Sequence, residues 1–175
     1  MTTINDTYFH IAITDWSNNG SASTYGDISG WDTSEVTNMS FAFNNMSNFN
    51  EDIHGWNVSN VTNMQGMFKG CSSFNHSLNS WNTQNVVDVS GMFQDATSFD
   101  GEINTWSLRN VKFTTNMFDS ASSFNKDISS WYMPNLFNAD SMFKNATAFN
   151  CGIGVMNSWY MINVTSTRSM FEEAT

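Results

Sequence analysis

The apolar residues of this chain return in the same order every 25 residues. Tryptophans fall at Trp31, Trp56, Trp81, Trp106 and Trp131, each step being 25, and Trp159 follows after 28. Twelve residues after each stands a phenylalanine: Phe43, Phe68, Phe93, Phe118, Phe143 and Phe171. Eighteen after each of the first five stands another, Phe49, Phe74, Phe99, Phe124 and Phe149. Twenty-two after comes an aliphatic residue (Ile53, Leu78, Ile103, Ile128, Ile153), and Ile28 closes an incomplete unit ahead of Trp31. Polar residues, chiefly Asn, Ser and Thr, fill the intervals. Self-similarity at this period marks a stacked architecture, because one such unit cannot bury its apolar side alone.

Within a unit, Val58 to Met64 is β-branched in part and predicts a short strand. Gln65 to Cys71 places Met67, Phe68 and Cys71 at helical offsets and predicts a short helical segment with Gly70 near its end. Phe74 and Leu78 then bring the chain back toward Trp81. The expected fold class is therefore an α/β repeat solenoid, leucine-rich-repeat-like, of about six turns. Residues 28–175 form the repeats, with a three-residue insertion near Gly154, Val155 and Met156 and a last unit lacking its closing arc. Residues 1–27 fall outside the period. After Asn5 or Asp6 as N-cap, Phe9, Ala12, Ile13 and Trp16 share one helical face, and Asn18-Asn19-Gly20 ends the pattern. This helix is expected to cap the first layer.

Asparagines recur almost as regularly as the aromatic residues. One series is Asn60, Asn85, Asn110, Asn135 and Asn163; a second is Asn50, Asn75, Asp100, Asn125 and Asn150; a third is Asn38, Asn63, Asp88 and Asn138. A side-chain amide both donates and accepts, so these series are read as satisfying backbone groups at the bends rather than as metal or glycan ligands. Of the two cysteines, Cys71 shares a slot with Met46, Ala96, Ala121 and Ala146 and is expected to be buried. Cys151 shares an exposed-looking slot with Glu51 and Lys126. The two lie about three units apart, roughly 15 Å at strand spacing, too far to bridge.

The segment Tyr8 to Trp31 (YFHIAITDWSNNGSASTYGDISGW), then DTSEVTNM, then units of the type WNVSNVTNMQGMFKGCSSFN, resembles the BspA-like bacterial surface proteins. The likeness covers nearly the whole chain. It implies a solenoid with a parallel sheet on one face, of a kind found on bacterial surfaces, in protists, and in viruses and phages. The implied role is adhesion or protein–protein contact, with no catalytic residue to carry over.

Sixteen acidic against six basic residues argue against nucleic acid and against an anionic membrane surface. No membrane insertion is expected, since no apolar run approaches spanning length. The first residues show no basic start followed by an apolar core, so no signal peptide is visible and classical secretion is not expected. The expected location is a cell surface or a virion surface. His10, His54 and His76 occupy unrelated slots, and Asp52, Glu102 and Asp127 lie along a solvated edge. With no phosphate loop, nucleophile elbow or Cys/His constellation, neither an enzyme, a metal site nor a cofactor is expected.

Function is sought where slots depart from the template. The residue after each tryptophan runs Asp32, Asn57, Asn82, Ser107, Tyr132, Tyr160, and the next runs Thr33, Val58, Thr83, Leu108, Met133, Met161. Six residues after, Phe137 stands where other units carry Thr, Val or Lys; seven after, Phe113 replaces Asn, Asp or Ser. Tyr132, Tyr160, Phe113, Phe137, Met133 and Met161 are the candidate binding residues, with Tyr132, Tyr160 and one of Phe113 or Phe137 expected outside. The expected function is a non-enzymatic protein–protein interaction or adhesion module displayed on a surface. Its partner would be a protein, such as a host-surface receptor or another subunit covering the C-terminal end. The alternatives are a structural, decoration or fibre component of a phage or virus particle, and a glycan-binding protein.

Overall fold

The computed structural model describes residues 3–150 and 159–174. Among them are two named strands, β1 (Thr3–Asn5) and β2 (Asp32–Glu35), paired in parallel, and one α-helix, α1 (Asp6–Asn19). Asn5 caps α1, its side chain accepting from the Thr7 N–H at 3.1 Å, and Gly20 ends it at φ 56°. Phe9, Ala12 and Ile13 are buried as the helical pattern requires. α1 rests on the first units through Phe9 against Trp56 (5.7 Å) and Trp16 against Phe49 (5.7 Å). Its first residue adds a charged anchor: the Asp6 carboxylate accepts from the backbone N–H of Thr37 (2.7 Å) and of Asn38 (3.1 Å). Partial burial raises the Asp6 pKa, but these bonds and that from the Thr37 hydroxyl outweigh it and hold the carboxyl below its usual value.

From Trp31 onward, backbone hydrogen bonds join each 25-residue unit to the next. The N–H groups of Met64, Gly66, Phe68 and Gly70 donate to the carbonyls of Asp88, Ser90, Met92 and Gln94 at 2.8–2.9 Å. The same four bonds recur one unit earlier and one unit later. Parallel bridges run Asn38–Asn63–Asp88–Phe113–Asn138–Ser166, a single residue wide.

Between these ladders each unit is a chain of reverse turns. Val61 N–H reaches Val58 O, Met67 reaches Met64, Cys71 reaches Phe68 and Phe74 reaches Cys71, each three residues back. The Gln65 to Cys71 segment, expected to be helical, is part of this run, with Gly66 and Gly70 at φ 59° and 72°. The Val58 to Met64 segment, expected as a strand, carries only the Asn63 bridge. Buried residues recur three apart (Val58, Val61, Met64, Met67, then Phe68, Cys71, Phe74), following the turns rather than a strand or helix period.

The interior is built from columns of parallel rings. Phe43, Phe68, Phe93, Phe118, Phe143 and Phe171 stack with centroids 5.3–5.6 Å apart. Phe49, Phe74, Phe99, Phe124 and Phe149 form a second column at 5.7–5.9 Å. These offset stacks combine apolar burial with the favoured ring geometry. Each buried indole N–H from the second unit onward finds a backbone acceptor nearer the N-terminus. Trp56 donates to Ile28 O, Trp81 to Ile53 O, Trp106 to Leu78 O, Trp131 to Ile103 O and Trp159 to Ile128 O, at 2.9–3.3 Å. Trp31 has no full unit before it, and its buried Nε1 has no partner among the described residues.

The asparagine series hold the outer backbone. Asn60, Asn85, Asn110, Asn135 and Asn163 each donate Nδ2–H to a carbonyl of the preceding unit at 2.7–2.8 Å. Asn50, Asn75, Asp100 and Asn125 each accept, through Oδ1, the N–H of the residue 25 positions later. Asn38, Asn63, Asp88 and Asn138 each accept the N–H two residues on, closing a turn.

Candidate functional site

Four of the six candidate residues face solvent. Tyr132 and Tyr160 are 46% and 51% exposed and stand next to each other, centroids 6.1 Å apart. Phe113 and Phe137 are 37% and 50% exposed and meet edge to face at 6.4 Å. Both phenylalanines are therefore outside, where strand alternation allowed one. The reason is the three-residue turn rhythm, which leaves two successive outward residues, such as Lys112 and Phe113, between the inward Val111 and Thr114.

Met133 is a correction: it is fully buried and belongs to the core. Its slot points inward in the earlier units too, through Thr33, Val58, Thr83 and Leu108. The larger side chain fills the interior and offers nothing to a partner. Met161 is partly buried against the same core. The insertion at Gly154, Val155 and Met156, with Ile153 and Cys151, lies outside the described residues.

His10 stands apart, whereas Asp52, His54 and His76 line one cavity of about 270 Å³ together with Ser77 and Ser80. The ring of His10 pairs with Ser40 O at 2.8 Å and that of His76 with Asn50 O at 2.9 Å. His54 Nδ1 lies 2.7 Å from Asp52 Oδ1, and its hydrogen bond holds the Asp52 carboxyl below its usual range. Glu102 lies 3.5 Å from Lys126, which also pairs with Asp100 at 3.0 Å. Asp127 caps a turn by accepting from the Ser129 N–H. Among the described residues no group of three His, Cys, Asp or Glu could hold a metal ion. The Cys71 thiol donates to Phe43 O at 3.0 Å, and burial pushes its pKa up to about 12. At ordinary pH it stays protonated and is a poor nucleophile. No helix among the described residues is long and apolar enough to cross a membrane.

One departure escapes a reading of the sequence, and it is Phe41. It is 46% exposed and left-handed at φ 57°, in a slot occupied in later units by Gly66, Gly91, Asn116, Ser141 and Ser169. Gly, Asn and Ser at one slot signal a left-handed turn position, and a bulky ring there departs from that template.

No curated protein and no solved structure matches the sequence. The family described as "Mycoplasma protein of unknown function, DUF285" matches residues 14–122 and again 102–175. The two matches overlap and together span residues 14–175, the whole repeat region and the end of α1, in keeping with a BspA-like kinship. The chain belongs to the DUF285 family.

Proposed function

We propose that this chain is a non-enzymatic interaction module, a BspA-like solenoid displayed on a surface and used for adhesion or for docking to another protein. The observation that carries this reading is the pair of exposed aromatic clusters, Tyr132–Tyr160 and Phe113–Phe137. In the first two units the same slots hold Asp, Asn and Thr. Exposed rings on slots that other units fill mostly with polar residues favour contact with a partner, since aromatic side chains dominate the energetics of protein interfaces.

The alternative is a structural or decoration subunit of a phage or virus particle.

Binding of the labelled full chain to intact host cells and to assembled particles tests both readings. Tyr132→Asn, Tyr160→Asn and Phe137→Thr together restore the template on the outer wall. Loss of binding with unchanged thermal unfolding supports the interaction module, and the target that is lost distinguishes receptor from particle. Undiminished binding overturns the assignment of these rings.

A further inference from the structure

Two departures from the repeat and two turns without a side chain converge on one groove. It has a volume of about 490 Å³ and crosses the first four units on the turn-bearing wall. Its floor is Gly66 and Gly91, the two units in which the left-handed slot carries no side chain. Phe41 closes one end and Phe113 the other. Neither phenylalanine follows its column: Phe41 occupies the left-handed slot, and Phe113 stands where other units place Asn, Asp or Ser. A bulky residue held at φ 57° while half exposed is a conformation that local propensity disfavours, and such positions cluster at functional sites.

Glycine is not forced on the floor. Asn116, Ser141 and Ser169 adopt φ 57°, 54° and 53° at the equivalent position. A Cβ on Gly66 would come within 2.5 Å of the Phe41 ring, so Gly66 seats that ring. A Cβ on Gly91 would meet nothing closer than 3.4 Å, so Gly91 leaves space open. The backbone of the floor is already satisfied: Gly66 and Gly91 donate to Ser90 O and Thr115 O at 2.8 Å and accept from the N–H groups of Lys69 and Gln94. An extended peptide recognised through its main chain would find no partner there. What faces the groove is side-chain chemistry: the amides of Gln65 and Gln94, one carboxylate at Asp88 and one ammonium at Lys69. Asp88 uses Oδ1 to close its own turn, and Lys69 makes no ion pair among the described residues.

We propose that this groove binds a neutral oligosaccharide. Amides and a carboxylate can bracket hydroxyl groups, and the two rings offer apolar surface to the C–H faces of pyranoses. Phe41 and Phe113 lie three units apart, about 14 Å along the stack at strand spacing, a span suited to a short oligosaccharide rather than one sugar. Neutrality follows from the balanced Asp88 and Lys69 within a chain of net charge −10, which repels polyanions. The proposal rests on the reading of the chain as an interaction module and names a ligand class for a groove that shares Phe113 with that contact surface.

The test is binding of the full chain to immobilised neutral and sialylated or sulfated oligosaccharides. The unchanged chain is expected to bind neutral members. Gly91→Asn fills the floor with a residue that the equivalent Asn116 shows to be compatible, and is expected to weaken binding by about tenfold or more. Asp88→Asn retains an acceptor for the Ser90 N–H, as Asn63 and Asn138 do in their units, and serves as the variant whose folding is least in question; it too is expected to weaken binding. Failure of the unchanged chain to bind any neutral oligosaccharide, binding confined to acidic ones, or equal binding by Gly91→Asn and Asp88→Asn overturns the proposal. If cell or particle binding is still lost in the tyrosine variants, the interaction module stands and only the glycan groove falls.

Discussion

The column headed by Phe43 and the left-handed slot beginning at Phe41 are two residues apart in the chain and obey opposite rules. In the column, six units carry the same residue, each ring parallel to the next at 5.3–5.6 Å. In the slot, six units carry Phe, Gly, Gly, Asn, Ser and Ser on one backbone conformation, φ 53–61°. Inside, a change in one ring is felt by the rings above and below, so identity is preserved. Outside, the backbone alone is shared, and side chains are free to differ. Chemistry specific to this chain is therefore written on the turns, against interior columns of repeated rings.

The comparison is broken most directly by Phe93→Ala. The ring contacts Phe68, Phe99, Phe118 and the Trp106 indole, and is fully buried. Its removal should cost about 3–5 kcal/mol, read as a fall in the denaturation midpoint. A smaller effect separates two tryptophans in the same slot of the repeat. Trp81→Phe loses the indole bond to Ile53 O, whereas Trp31→Phe loses no bond and relieves an unpartnered buried N–H. The first substitution should be the more destabilising by about 1–2 kcal/mol in parallel denaturant titrations. The smallest effect is expected on the outer slot. Phe41→Asn releases a ring from a left-handed backbone at the loss of its seat on Gly66, and should leave stability unchanged or raise it by up to about 1 kcal/mol. A fall as large as that of Phe93→Ala would show that Phe41 belongs to the core and not to the wall.

Much of the packing was legible from residue spacing, because burial of large rings at fixed intervals leaves a direct trace. The N-terminal helix was legible as well, from Asn5, Phe9, Ala12, Ile13 and Gly20. The local conformation was misread where two patterns coincide. Successive turns closed three residues apart bury Met67, Phe68 and Cys71 at spacings that a helical turn also produces. The distinguishing signal was Gly66 and Gly70, four residues apart and both left-handed. The same rhythm explains why strand alternation put only one of Phe113 and Phe137 outside and offered Met133 to a partner. The groove leaves no trace in the sequence because its parts come from four units. Phe41, Gly66, Gly91 and Phe113 share no local motif, and only their alignment on one wall brings them together.

The indole bonds have a mechanical consequence. Each tryptophan from Trp56 onward is tied to a carbonyl 28 or 31 residues earlier, alongside the backbone ladder that joins successive units. Tension applied along the stack is carried by these junctions in series, so the weakest gives way while the others remain intact. Every junction that opens releases a 25-residue unit, roughly 85 Å of extended chain. Such a chain yields to a pull by lengthening in discrete increments.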